Sequence, residues 1–514
     1  MSASSDPTLA EHSSPSEETS DSFAKFTRDV ATGSGFVFAG GIIGKVVTFA
    51  LQVLLSRTLG TVLYGLYSLG LTVTRFLREI TALGLQSGIV RFGSVEWSRG
   101  NDRLLRGTLI ASLGIAAVTS TFGALLLLAT APWLAAAVFD DPALTPVLRI
   151  FALGLPFYTL LYIASRATRA FQKLHLDTGL KDVAQPTLNI IAVGAAFLLG
   201  YRLDGALYGF VASAVISAGL GIYLIYRVYP PLVSSIKAHY RPKELLEFSL
   251  PVLGASLATL LLSLTDRLML GAISTSENVG IYTAAANTAV QLRFVLHAFN
   301  ASFSPIISEL YHQGLHAQLH RLFTTVTRWI VTLTLPLGII LILLAEPIMR
   351  IYGSGFAGGS TVLIVLSIVF FIDAAVGAVG YMLQMSDHQY TVMVINSCMA
   401  VLNVGLNIWF IATYGLMGAA YATGLAIGIG NIAKLVAVSR FMDMEPYSLE
   451  YFKPIAAAVV STVAGIAVLH LLPVPLAWFA TAAIVGIVYL GILYLLGESD
   501  GDDIILSEIR KRIA

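Results

Sequence analysis

The sequence has few charges and almost no cysteine. Charged residues make up 12% of its 514 positions, against roughly 25% in soluble domains, which excludes an ordinary water-facing globular surface. A single cysteine, Cys398, excludes an intramolecular disulfide. It lies in an apolar stretch and is expected to be a small buried hydrophobe. No metal-ligand cluster and no nucleophile–base constellation stands out, so neither a metal, a catalytic residue nor an enzyme activity is expected. Gly44-Lys45 is followed by Val46 and position 39 is alanine, so this is not a phosphate-binding loop. The formal net charge of +1 says little about partners, and no nucleic-acid partner is expected. Residues 1–22 lack the basic stretch and apolar core of a signal peptide; Ser-rich and acidic, they are expected to be disordered.

Hydrophobicity is what the chain has. Apolar residues make up 56%, and mean hydropathy is +0.79. Stretches of about 20 apolar residues recur from Val37 to Leu496, each long enough to cross a ~30 Å hydrocarbon core as a helix. A bilayer offers no water to backbone groups, so such segments must close their hydrogen bonds within helices. They are too long for barrel strands of about 10 residues. The expected fold is an all-α polytopic membrane protein with about fourteen transmembrane helices, from 33–57 to 474–497. Every second loop is basic, including Arg99, Arg103 and Arg106, Arg166, Arg169 and Lys173, and Lys237, Arg241 and Lys243. The alternate loops, such as Asp140-Asp141-Pro142 and Ser274–Gly280, are poor in basic residues. The basic loops are therefore expected to face the cytoplasm, with both termini inside and the chain in the cell membrane.

Shifted by about 215 residues, the chain matches itself. Gly65-Leu66-Tyr67 meets Gly280-Ile281-Tyr282, Pro132-Trp133-Leu134 meets Pro347-Ile348-Met349, and Leu188-Asn189-Ile190 meets Leu402-Asn403-Val404. These matches imply two parallel six-helix repeats, related by a pseudo-twofold axis along the membrane normal. The expected organisation is a disordered acidic cytoplasmic tail (1–30), an N-lobe (31–228), a C-lobe (243–441), two C-terminal helices (452–497) and a cytoplasmic tail (498–514).

Charges inside the spans are the candidate functional residues, because each costs roughly 2.5–3.5 kcal/mol at a helix centre. Lys45 lies in the first span. Arg75, Arg78 and Glu79 share one face of the second, where Glu79 is expected to neutralise part of Arg75. Arg293 falls on Arg78 under the repeat and shares a face of the eighth span with His297. Arg78 and Arg293 are too deep for snorkelling and are expected to line one central cavity. Asp266 and Arg267 are expected to form a structural or interfacial pair. Asp373, with no basic neighbour in sequence, is expected to be either a neutral carboxyl or a proton or sodium coupling site.

The chain resembles the Wzx-type polysaccharide-biosynthesis flippases of the MATE-like MOP superfamily. The resemblance is carried by Gly33-Ser34-Gly35-Phe36 through Leu55-Ser56-Arg57-Thr58-Leu59-Gly60, by Tyr64-Gly65-Leu66-Tyr67, and by Asp204-Gly205-Ala206-Leu207-Tyr208-Gly209 with its counterpart Met417-Gly418-Ala419-Ala420-Tyr421-Ala422. It implies a V-shaped pair of lobes around a cationic cavity. It also implies translocation of polyprenyl- or dolichyl-(pyro)phosphate-linked oligosaccharide between leaflets by alternating access, with glycosyltransferases as possible partners. By resemblance, Lys45, Arg75, Arg78 and Arg293 hold the lipid phosphate, with Glu79 and His297 as accessory groups. No cofactor is implied, and a coupling Na+ or H+ is left open. Two other functions are left open as well. A MATE-type multidrug exporter shares the fold but suits organic cations. A non-transporting scaffold of a glycan-assembly complex would tolerate loss of the cavity charges.

Overall fold

A computed structural model describes residues 15–233, 237–474 and 476–497. Among them the chain is helical, with no strand. The first helix, α1 (Pro15–Ala82), is broken at Gly60, whose φ of 75° and ψ of −178° only glycine adopts without strain. The break folds one long apolar stretch into two limbs. Residues 1–14 and 498–514 lie outside the described residues. Helix begins at Pro15, within the stretch expected to form the tail. Proline at the first helical position suits a helix start, because its missing N–H would have no intrahelical partner there.

The second limb continues into α2 (Leu85–Ser98) and is followed by α3 (Asp102–Trp133) and α4 (Leu144–Ala170). Next come α5 (Leu174–Thr178), a π-helical segment at Gly179–Ala184, α6 (Gln185–Leu198) and α7 (Leu203–Val228). The matching series in the second half runs α8 (Pro242–Ile273), α9 (Ser276–Ala289), α10 (Arg293–His312), α11 (His316–Leu343), α12 (Ala345–Tyr352) and α13 (Ser360–Ala375). It closes with α14 (Val379–Met385), α15 (Gln389–Tyr414) and α16 (Leu416–Met442). Helices α17 (Phe452–Leu471) and α18 (Leu476–Leu495) pair with each other and lean on α11.

By length and composition, 11 helical stretches among the described residues can cross a bilayer, and the protein is a multi-pass membrane protein. Helix is interrupted within several of the expected spans, among them at Leu83–Gly84 in the second, through the π segment in the fifth, and at the 3-10 turn Val290–Leu292 in the eighth. The charged residues sit beside such breaks. Arg78 and Glu79 precede the first, Arg293 follows the third, and Asp373 precedes a similar break at Gly377. Broken helices at this depth are where polar side chains and freed backbone groups meet ligands in membrane transporters. Cys398 is exposed on the bundle surface rather than buried, which an apolar side chain facing lipid allows.

The two halves touch at both ends and part in the middle. At the sparsely charged end α1 packs on α9 through Gly65 and Gly280, the glycines paired by the sequence repeat. A Cβ on Gly65 would collide with the Ser276 carbonyl, and one on Gly280 with the Thr61 carbonyl. Thr61 Oγ1 donates to Glu277 Oε1 at 3.0 Å, Ser276 Oγ to Asp141 Oδ2 at 2.5 Å, and Arg57 Nε to the Ile351 carbonyl at 2.7 Å. At the basic end α2 packs on α8, with Phe92 edge-on to Phe248 at 5.8 Å and Gly84 and Gly88 against Ser249.

Candidate functional site: a cationic cavity between the halves

A cavity of about 540 Å³ lies between these two contacts. Its walls come from α1, α4, the π segment, α6, α7, α8, α9 and the 3-10 turn Val290–Leu292. Lys45, Arg75 and Arg78 all line it, joined by Lys181 and Arg267. The guanidinium of Arg78 lies over two rings, 4.3 Å from Tyr162 and 4.9 Å from Tyr158, and such faces attract a cation without neutralising it. Lys45 Nζ donates to Gln291 Oε1 across the interface at 3.1 Å and sits 4.9 Å from the Phe294 ring. Arg267 Nη2 donates to Asn287 Oδ1 at 2.7 Å.

Carboxylates are scarce here. Asp182 lines the cavity 3.5 Å from Lys181. Glu79 touches Arg78 at 3.5 Å and accepts from Gln86 Nε2 at 2.9 Å. The expected pairing of Glu79 with Arg75 is corrected: Glu79 is engaged by Arg78 and Gln86, and Arg75 has no carboxylate partner among the described residues. Five lining cations against two carboxylates leave an excess of three positive charges. At roughly 2.5–3.5 kcal/mol per intramembrane charge, such an excess is expensive unless water or an anion compensates it. The cavity also holds buried polar atoms without a partner, namely Arg78 Nε, Asn189 Oδ1 and Thr283 Oγ1. These remain available to hydroxyl or phosphoryl groups of a ligand.

Arg293 departs from expectation. It is not among the cavity-lining residues. Its Nε lies 2.7 Å from Asp373 Oδ2, although the N–H does not point at that oxygen and neither atom is hydrogen-bonded. Asp373 Oδ1 accepts from Asn431 Nδ2 at 2.9 Å. Asp373, which has no basic neighbour in sequence, therefore meets a guanidinium supplied by a helix far away in the chain. His297 is exposed, one turn beyond Arg293, and interacts electrostatically with Arg293, Asp373 and Lys45.

The expected Asp266–Arg267 pair is also corrected. Successive helix residues point about 100° apart and do not face each other. Arg267 enters the cavity, while Asp266 turns into the second half and accepts from Tyr282 Oη (2.9 Å), Asn407 Nδ2 (3.0 Å) and Thr423 Oγ1 (2.6 Å). Side-chain bonds between membrane helices average ~0.6 kcal/mol, so three contribute about 2 kcal/mol. Asp266→Ala is expected to lower the melting temperature by several degrees and Asp266→Asn by less, measured by thermal unfolding in detergent. An unshifted Asp266→Ala protein would show that this network does not hold α8, α9, α15 and α16 together.

Sequence reasoning assigned Arg267 to a structural pair rather than to the cavity, and did not single out Lys181, Asp182 or Lys434 as site residues. The helix rule that separates neighbours was available for Arg267. Lys181 and Asp182 are turned inward by the π segment, which has no signature in the sequence.

Residues 30–311 match the family described as "Polysaccharide biosynthesis protein". The chain belongs to that family. Residues 251–430 also match the MatE family. Stage V sporulation protein B of Bacillus subtilis is 22% identical over 462 residues, covering 83% of this chain and 87% of that protein. The "probable low-salt glycan biosynthesis flippase" Agl15 of Haloferax volcanii is 25% identical over 269 residues, 50% of this chain and 55% of its own length. Among solved structures, the lipid II flippase MurJ in an inward closed conformation superposes with a TM-score of 0.72 at 15% identity, covering 90% of this chain and 98% of MurJ. An inward-facing MATE-family multidrug transporter gives 0.66 at 15% identity, covering 79% and 98%. At these identities the two structures establish a shared fold.

Proposed function

We propose that this protein is a flippase that moves a glycan linked to a lipid phosphate from one leaflet to the other. The observation that carries the proposal is the cavity's excess of three positive charges between the two halves. A phosphate diester or diphosphate brings the charge that offsets this excess, and arginine forks match its oxygens in geometry. Lys45, Arg75 and Arg78 hold the phosphate, the neutral groups Asn189 and Thr283 meet sugar hydroxyls, and the isoprenoid tail stays in lipid. The family, and the similarity to Agl15, a probable low-salt glycan biosynthesis flippase, support the same substrate class.

In this scheme residues 31–228 and 243–441 are lobes that rock about their interface, with 452–497 outside the rocking pair. The basic end faces the cytoplasm of the cell membrane and the closed, sparsely charged end faces outward. The headgroup enters from the cytoplasmic leaflet, the outer contacts open, and the headgroup is released. No covalent bond changes, so the protein acts as a transporter and not as an enzyme. Glycosyltransferases that build the glycan are its natural neighbours. Multidrug export remains the second possibility because of the MatE match, but a cavity with this sign of charge repels organic cations.

The test is reconstitution into vesicles with a polyprenyl-phosphate-linked oligosaccharide and, separately, a cationic dye. Glycan is expected to become accessible at the opposite leaflet while dye is not expelled. Dye expulsion without glycan movement would overturn the proposal.

A further inference from the structure

A second charged cluster lies behind the cavity wall, between α10, α13 and α16. Arg293 and His297 come from α10, Asp373 from α13, and Asn431 and Lys434 from α16. Helix α11 faces this region with apolar Val326 and Ile330. Asp373 has a side chain only 11% exposed and is the carboxylate around which two cations gather. Arg293 contacts one of its oxygens and Asn431 binds the other. Lys434 interacts electrostatically with both Asp373 and Arg293 yet forms no ion pair within 4.0 Å among the described residues.

Three features make the Arg293–Asp373 contact suited to exchange. The guanidinium Nε–H is not aligned on the carboxylate, so the contact is close without being a hydrogen bond at that atom. Arg293 stands two residues after Gln291, which lines the cavity and bonds Lys45, so its backbone runs along the cavity's edge while its side chain points away from Gln291. Lys434 lies one turn from Asn431 on the same helix face, where it can reach Asp373 if Arg293 leaves. Without such a replacement, releasing Arg293 would strand a buried carboxylate, which is strongly unfavourable.

We propose that Arg293 is a reserve anion-binding residue, held off the cavity by Asp373 in the empty protein and passed to an anionic headgroup while Lys434 takes its place on Asp373. Asp373 then acts as a stand-in for the substrate's charge. One cation replaces another, so no proton or metal ion enters the exchange. The proposal rests on the cavity being the headgroup site.

Its test uses purified full-length protein and geranylgeranyl phosphate as the probe, with affinity read by titration and folding by thermal unfolding. Lys434→Met is expected to bind the probe about tenfold more weakly, because Arg293 stays locked. Asp373→Asn should bind at least as tightly as wild type. The double variant Lys434→Met/Asp373→Asn should recover the affinity of Asp373→Asn, since a lysine substitute is no longer needed. Equal loss from Lys434→Met with and without Asp373→Asn, or no loss in either, overturns the exchange. Should Lys434→Met fail to fold, Lys434→Arg (affinity kept) against Lys434→Gln (affinity lost) makes the same distinction. A wild-type protein that does not bind the probe, or an Arg75→Ala/Arg78→Ala variant that binds it unchanged, strikes instead at the headgroup assignment.

Discussion

Replacing Arg75 and Arg78 together by alanine is expected to reduce glycan delivery to the opposite leaflet at least ~100-fold. Hydrogen bonds to charged groups contribute roughly 1.5–3 kcal/mol each, so losing two costs about 3–6 kcal/mol of headgroup binding. The two residues are not equivalent. Arg78 is also fixed between Tyr158 and Tyr162 and touches Glu79, so its removal leaves a buried carboxylate with less compensation and some loss of stability accompanies loss of transport. Among the described residues Arg75 has no carboxylate partner, and Arg75→Ala is expected to fold normally and to lose binding alone. Arg75→Lys should retain part of the activity, because the charge survives and the fork does not. The measurement is leaflet accessibility of the glycan in reconstituted vesicles at matched protein amounts. Full delivery by the double variant would remove the cationic cavity from the mechanism.

Gly65→Ala is expected to be nearly as damaging, by a different route. The added methyl cannot fit against the Ser276 carbonyl while α1 and α9 stay packed. Overpacking of this kind costs about 1–3 kcal/mol, and each 1.4 kcal/mol shifts a two-state population tenfold. The closed outer contact should give way and transport should fall about tenfold or more. Labelling reports the change directly. Cys398 is the only cysteine, so Cys398→Ser gives a clean background. Thr283→Cys places a thiol inside the cavity. A membrane-impermeant reagent added from outside should label it in the Gly65→Ala protein and not in its parent. Gly114→Ala, where an added Cβ meets open space, should change nothing. Gly65→Ala with full delivery and a protected thiol would mean that the glycine contact is not a gate.

The parts of this protein that were legible in its sequence share one property: they depend on what a short stretch must do in a bilayer. Runs of about 20 apolar residues have to be helical there, so the all-α membrane fold followed from composition. Lys45, Arg75 and Arg78 could be picked out because each charge deep in a span is costly wherever the helix ends up. The offset that pairs Gly65 with Gly280 also named two positions that meet in space. What the sequence could not supply is the rotation of each helix and its partner. Arg78 and Arg293 are equivalent under the repeat, yet one opens into the cavity and the other lies against Asp373, because residues 80 positions further along bring a carboxylate to the second. Asp266 and Arg267 look like a pair and part company, since a helix turns about 100° between them. The chain alone determined that charges are buried; only the packed helices decided which of them face each other, because Coulomb energy depends on distances between segments that the linear order leaves open.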